Sequence, residues 1–225
     1  MARTIGIGIQ SFEKIRKNNC FYVDKTYFIR EWWESQDDVT LITRPRRFGK
    51  TLNMNMLERF FSVKYQDQGQ VFEGLSIWEE ERYRRLQGTY PVIFFSFADV
   101  KETTFAGARI RIFQILEELY GQYAFLPDSG CLSEKEKDVF ERVSVDMSDQ
   151  EASNSIKALS LYLSRYYQKQ VIILLDEYDT PLQEAWVYGY WQEMVAFIRS
   201  LFNSAFKTNP YLERAVMTGI TRVSK

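Results

Sequence analysis

The chain alternates short apolar runs with longer stretches in which apolar residues return every three or four positions. Residues 39–43 (VTLIT) are β-branched, bounded by Asp37-Asp38 and Pro45, and read as a strand. Residues 49–61 then place Leu52, Met56, Leu57 and Phe60 on one helical face, with Asn53, Glu58 and Arg59 elsewhere. Residues 90–97 (YPVIFFSF) are apolar enough for a strand buried on both faces, with Pro91 tolerated only near its start. A helix over residues 105–120 brings Ile112, Ile115, Leu116 and Leu119 into register, and Pro127-Asp128-Ser129-Gly130 marks a turn. Ser133 with Glu136, and Ser148 with Glu151, match the capping box, in which serine and glutamate satisfy each other's backbone N–H; each pair predicts a helix start. The second of these helices carries Ala152, Ile156, Leu159, Leu163 and Tyr166 on one side. Residues 171–175 (VIILL) predict a third strand and residues 214–219 (RAVMTG) a fourth. Between them, residues 191–206 predict a helix with Met194, Ile198, Leu201 and Phe202 inward. Strands alternating with helices predict an α/β fold of three layers, a mostly parallel central sheet with helices on both faces. The chain stops just after the fourth strand with no helix to cover it, which predicts an N-terminal fragment of a longer protein.

Composition narrows the chemistry. The formal net charge is −1, so no global basic field is available to hold nucleic acid, and any such contact must be local. Histidine is absent, which removes His-based triads, His-based general acids and most zinc sites. Cys20 and Cys131 have no Cys-x-x-Cys neighbour, and two free thiols in a reducing cytosol is the simplest reading, with a disulfide left open. No apolar run reaches the roughly 18 residues of a membrane span, and residues 1–10 carry no signal-peptide pattern. The expectation is a cytoplasmic protein with no membrane partner.

The first chemistry-bearing stretch is TRPRRFGKT, residues 43–51. A phosphate-binding loop (Walker A) reads G-x-x-x-x-G-K-[ST]; here Gly49, Lys50 and Thr51 are in place, but Arg44 stands at the first glycine position. The tripeptide follows a predicted strand and opens a predicted helix, as the mechanism requires. The first N–H groups of a helix have no internal partner, and the helix dipole favours a negative charge there. On this reading Gly49 allows close approach, the amides of residues 49–52, Leu52 included, receive phosphate oxygens, Lys50 reaches the β- and γ-phosphates, and the Thr51 hydroxyl ligates Mg²⁺. Pro45 stiffens the entrance. Arg46 and Arg47, with Phe48 beside them, add positive charge; a solvated turn and a local nucleic-acid patch are the alternatives.

The second stretch is VIILLDEYDTP. A buried strand ending in Asp176-Glu177 puts two carboxylates at the carboxyl edge of the sheet, where ligands of open α/β sheets bind. As a Walker B pair, Asp176 would hold Mg²⁺ and Glu177 would position or activate the attacking water. An acidic turn in solvent is the plain alternative. Asp179 would either support the metal shell or cap the turn before Pro181. In the third stretch, RAVMTGITRVSK, Thr218 could sense the γ-phosphate and Arg222 could lend charge to the transition state, against a surface-loop reading for both. In FYVDKT, Tyr22 could stack on a base and Lys25 meet a phosphate, against an ordinary strand and turn.

Four stretches in order, SFEKIRKNNCFYVDKTYFI, TRPRRFGKTLNMNML, VIILLDEYDTPL and VMTGITRVSK, resemble the AAA-ATPase-like family of bacterial and fungal proteins. The Arg-Pro-Arg-Arg-Phe-Gly-Lys-Thr form is itself characteristic of that family, so Arg44 argues for the resemblance. It implies one P-loop NTPase domain over residues 1–225, with the strand at residues 214–218 lying between those at 39–43 and 171–175. It also implies that longer relatives continue into a nuclease-like domain of the PD-(D/E)XK type. The expected function is Mg²⁺-dependent binding and hydrolysis of ATP, or of another nucleoside triphosphate, regulating such a domain. In this reading Lys50, Glu177 and Arg222 carry catalysis, Thr51 and Asp176 hold the metal, and Arg46, Arg47, Phe48, Gly49, Lys50, Thr51, Leu52 and Thr218 bind the nucleotide. The alternatives are a nucleotide-gated switch with negligible hydrolysis and a nucleic-acid-associated binding module; an oligomer in which a neighbour's arginine completes the site stays open.

Overall fold

A computed structural model of the chain describes residues 4–222. The elements are α1 (Phe12–Lys17), α2 (Tyr27–Ser35), β1 (Val39–Thr43), α3 (Lys50–Phe61), α4 (Glu81–Arg84), β2 (Val92–Ser96), α5 (Phe105–Gly121), α6 (Glu134–Glu141), α7 (Asp149–Tyr167), β3 (Val171–Asp176), α8 (Thr180–Tyr188), α9 (Trp191–Phe202) and β4 (Leu212–Gly219). Short 3₁₀ turns at Val63–Tyr65, Gly69–Phe72 and Ser76–Trp78 fill the connection from α3 to α4.

The four strands form one parallel sheet in the order β1-β4-β3-β2. The last strand in sequence therefore sits between the first and third, as the resemblance implied. β3 is buried at every position, which explains its unbroken apolar run. Alternate side chains serve two cores. Val171, Ile173 and Leu175 join Ile93, Phe95 and Ala215 under α5, α7 and α9, while Ile172 and Leu174 join Val92 and Val216 under α1, α2 and α3. The result is a three-layer α/β fold.

Local signals fix the boundaries. Ser148 and Glu151 bond each other's backbone N–H at the start of α7, and the Ser133 N–H donates to Glu136 at the start of α6. β2 begins after Pro91, shorter than the predicted run, because that residue has no N–H for the ladder. The predicted helix 191–206 ends as an α-helix at Phe202 and continues as a π-helical turn, Asn203–Lys207. Because the sheet is parallel, the ends of β1, β3 and β4 all open on the same edge.

Candidate nucleotide site

The loop from β1 to α3 turns through two left-handed residues, Arg47 (φ 69°) and Gly49 (φ 76°). Glycine adopts that geometry freely; arginine does so at a cost of about 1 kcal/mol or more. Gly49 is the N-cap of α3 and has no side chain to occupy the first-turn N–H groups. Arg46, Arg47 and Phe48 lie on the exposed part of the turn. Lys50 does not extend into solvent. It is buried, and its Nζ donates to the carbonyls of Arg44 (3.0 Å) and Pro45 (3.1 Å). The ammonium thus spans the loop and fixes its curve where the usual first glycine is replaced. The Arg44 N–H donates to the Gly219 carbonyl at 3.1 Å, tying the loop entrance to the end of β4.

Across the edge, Asp176 ends β3 with only 1% of its surface exposed. Its carboxylate is a junction. Thr51 Oγ1 donates to Oδ2 at 2.6 Å, Thr218 Oγ1 donates to Oδ1, and the Glu177 N–H donates to Oδ1 at 3.1 Å. One side chain each from α3, β3 and β4 therefore meets at one point. Glu177 itself holds a left-handed conformation (φ 51°), and its Oε2 accepts from Thr180 Oγ1 at 3.2 Å. A non-glycine residue holds that geometry only at a cost to the folded state.

The structure thus brings together Gly49, Lys50, Thr51 and Leu52 at the start of α3 with Asp176, Glu177 and Thr218 at the strand ends. Arg222 is exposed and makes no hydrogen bond or ion pair among the described residues. The last three residues of the fourth family stretch, 223–225, lie outside the described residues. Two readings need correction. Residues 21–25 form no strand, and Tyr22 is not presented to a base. Its ring packs edge-on against Phe12 (5.5 Å) and its hydroxyl donates to Met56 Sδ (3.4 Å), while burial pushes the phenol up to about 12. The working residue of that stretch is Asp24, which clamps the N–H and hydroxyl of both Thr26 and Ser76. Burial opposes ionisation of Asp24, but these four bonds outweigh it and hold its carboxyl below the usual range.

Asp179 is not the turn cap expected of it, and its Oδ1 is buried with no hydrogen-bond partner among the described residues. It occupies the N-cap position of α8 without a side-chain capping bond, and its carboxylate reaches instead to Ile220 and Thr221 beyond β4. Its partners lie 41 and 42 residues away, so only the repeated acid in Asp-Glu-Tyr-Asp flagged it. A groove of about 640 Å³ lined by Asp149, Lys157, Glu193 and Phe197 includes none of these residues. The phosphate-loop assignment rests on the hydrogen-bonded junction at Asp176.

A parallel sheet in this order, with a Gly-Lys-Thr helix start after β1 facing an acid at the end of β3, one strand removed, defines a three-layer fold of the P-loop NTPase type. A family model described as "Predicted AAA-ATPase" matches residues 6–225, and the chain belongs to that AAA-ATPase-like family. The family's name carries a nucleotide-binding, ATPase-like role. A curated protein of Azotobacter chroococcum mcd 1, "Uncharacterized protein in vnfD 5'region", is 27% identical over 225 residues, covering 99% of this chain and 38% of that protein. The chain thus spans well under half the length of that relative. No solved structure matches. No described helix is long and apolar enough to cross a membrane.

Proposed function

We propose that this domain binds and hydrolyses a nucleoside triphosphate, ATP in the first instance, with Mg²⁺. The observation that carries the reading is the junction at Asp176, where Thr51 from the helix start and Thr218 from the central strand share one carboxylate. The triphosphate tail would lie over the uncapped first turn of α3, with its oxygens on the amides of residues 49–52. Lys50 would leave the carbonyls of Arg44 and Pro45 and turn to the β- and γ-phosphates.

The donor set suits a hard cation. A hydroxyl and a carboxylate stand within 2.6 Å of each other, and Mg²⁺ is commonly held by one or two such groups together with phosphate oxygens. Among the described residues no group of three or more acidic, Cys or His side chains forms a protein cage, so the ion would arrive with the nucleotide. When bound, Mg²⁺ would neutralise charge on the β- and γ-phosphates. Glu177 would orient water toward the γ-phosphate, and an Asp-Glu pair favours water over a second substrate as acceptor. Thr218 would sense the γ-phosphate from β4, and Arg222 would add charge from the loop beyond it. The length of the Azotobacter relative leaves room for a further domain that hydrolysis would regulate; a nuclease-like domain is the proposal.

The bonds from Lys50 to its own loop favour a second reading, a nucleotide-gated switch in which binding matters more than turnover. Single-turnover phosphate release separates the two. A rate that Glu177→Gln abolishes while leaving ATP affinity intact supports the enzyme; tight binding with no release in either protein supports the switch.

A further inference from the structure

We infer that Asp179 is a positioning residue: its buried carboxylate holds the chain leaving β4 against the acidic turn, and so sets where Thr218 and Arg222 stand in the site. This rests on the nucleotide reading of that edge. Asp179 is 1% exposed. Its Oδ2 accepts from the Ile220 N–H (3.0 Å), the Thr221 N–H (2.7 Å), Thr221 Oγ1 (2.7 Å) and Gln183 Nε2 (2.8 Å). Its neighbour Tyr178 holds the same segment from both sides, donating its N–H to the Thr218 carbonyl (2.9 Å) and its hydroxyl to the Thr221 carbonyl (2.8 Å).

Four consecutive residues are thereby fastened to the two motifs. Thr218 is tied to Asp176, Gly219 to Arg44, and Ile220 and Thr221 to Asp179. Gly219 permits the approach: a Cβ there would lie 2.6 Å from Asp179 Oδ1 and 2.6 Å from Tyr178 Cε1. Burying a carboxylate with no cation in ion-pair reach among the described residues, and with Oδ1 unpartnered, is costly, and helix capping does not require it, since Ser, Thr or Asn would cap α8 as well. What the charge adds is strength in its bonds to backbone N–H groups. Those bonds fall on the two residues that join the end of β4 to Arg222. The carboxylate is therefore matched to fixing a loop, not to capping a helix.

The test compares wild type, Asp179→Asn, Arg222→Ala and the double variant by Mg²⁺-ATP titration and single-turnover phosphate release. Asp179→Asn should keep affinity within about threefold and lose at least about tenfold in release rate, a split that loss of fold would not produce. The Arg222→Ala loss seen in wild type should largely vanish in the Asp179→Asn background, because Arg222 is then already misplaced. Thr221→Val, at an exposed position, removes one of the four bonds and should show the same loss to a smaller degree, which covers the case in which Asp179→Asn fails to fold. In nucleotide-free protein the Ile220 and Thr221 amides should exchange faster in either variant, while the β4 amides do not change. An unchanged release rate, an Arg222→Ala effect of equal size in both backgrounds (none included), or unchanged exchange at Ile220 and Thr221 overturns the inference. A wild type that binds no nucleotide sinks the nucleotide reading instead, and the exchange result then still decides whether Asp179 fixes the loop.

Discussion

Thr51 and Asp176 are 125 residues apart in the chain and 2.6 Å apart in the fold, the threonine hydroxyl donating to a carboxylate oxygen at the strand end. The carboxylate is buried and its partners are the neutral hydroxyls of Thr51 and Thr218 and one amide. Such a group is retained at a cost to the folded state unless its charge is used. Asp176→Asn keeps the shape and removes the charge. We expect its Tm to equal or exceed that of wild type, while Mg²⁺-dependent ATP affinity falls at least about tenfold, or roughly 1.4 kcal/mol. Calorimetric titration with and without Mg²⁺, beside a thermal melt, checks both halves.

Glu177 sits at φ 51°, a region that glycine enters without penalty and a glutamate does not. Glu177→Gly should therefore leave stability unchanged or raise it, by up to about 1 kcal/mol, while phosphate release disappears. Urea unfolding measures the first effect. A clear loss of stability would show that the bond from Thr180 outweighs the relief of strain.

Arg214 is a buried cation within β4. Its guanidinium donates to the carbonyls of Trp32 (3.2 Å) and Trp33 (2.8 Å) in the last turn of α2 and lies 4.2 Å from the Trp33 ring centre. It caps a helix C-terminus across the sheet edge. Arg214→Met keeps the apolar stem but removes the donor to the Trp33 carbonyl, while Ser35 Oγ still donates to that of Trp32, and should cost about 1–3 kcal/mol in urea unfolding. An unchanged midpoint would rule out this capping role.

Glu136 supplies a pH signature. Both its oxygens accept from Arg165 at 3.0 Å, the strongest influence on it; burial opposes, the Ser133 bonds assist, and the carboxyl is held down at about 2. The unfolded value is near 4.3, so the folded value is the lower one. Its stabilising effect is therefore complete above about pH 5 and lost as pH falls toward about 2. The stability gap between wild type and Glu136→Gln should narrow across that window; a constant gap contradicts the assignment.

Much of this was legible in the sequence. β3 reads as VIILL because both its faces are covered, and the two serine-glutamate pairs mark helix starts by local chemistry alone. The Gly-Lys-Thr loop and the acids after β3 stood out by context, since each follows an apolar strand and the loop also opens a helix. Residues 62–89 were opaque because short turns leave no period, and their packing comes from distant rings such as Phe12 on Phe72 (5.1 Å). α8 was missed although Pro181 at its first turn is a start signal. The contacts of Asp179 and Arg214 are hidden for one reason: each bonds backbone groups far away in sequence, which no local pattern records.

The central claim is that a triphosphate tail binds over the start of α3 through Lys50. Calorimetric titration of Mg²⁺-ATP into wild type and Lys50→Ala tests it most directly. The account predicts saturable binding to wild type and a loss of about a hundredfold, roughly 3 kcal/mol, in the variant. Equal affinity in the two proteins, or no binding to wild type at saturating nucleotide, would contradict it.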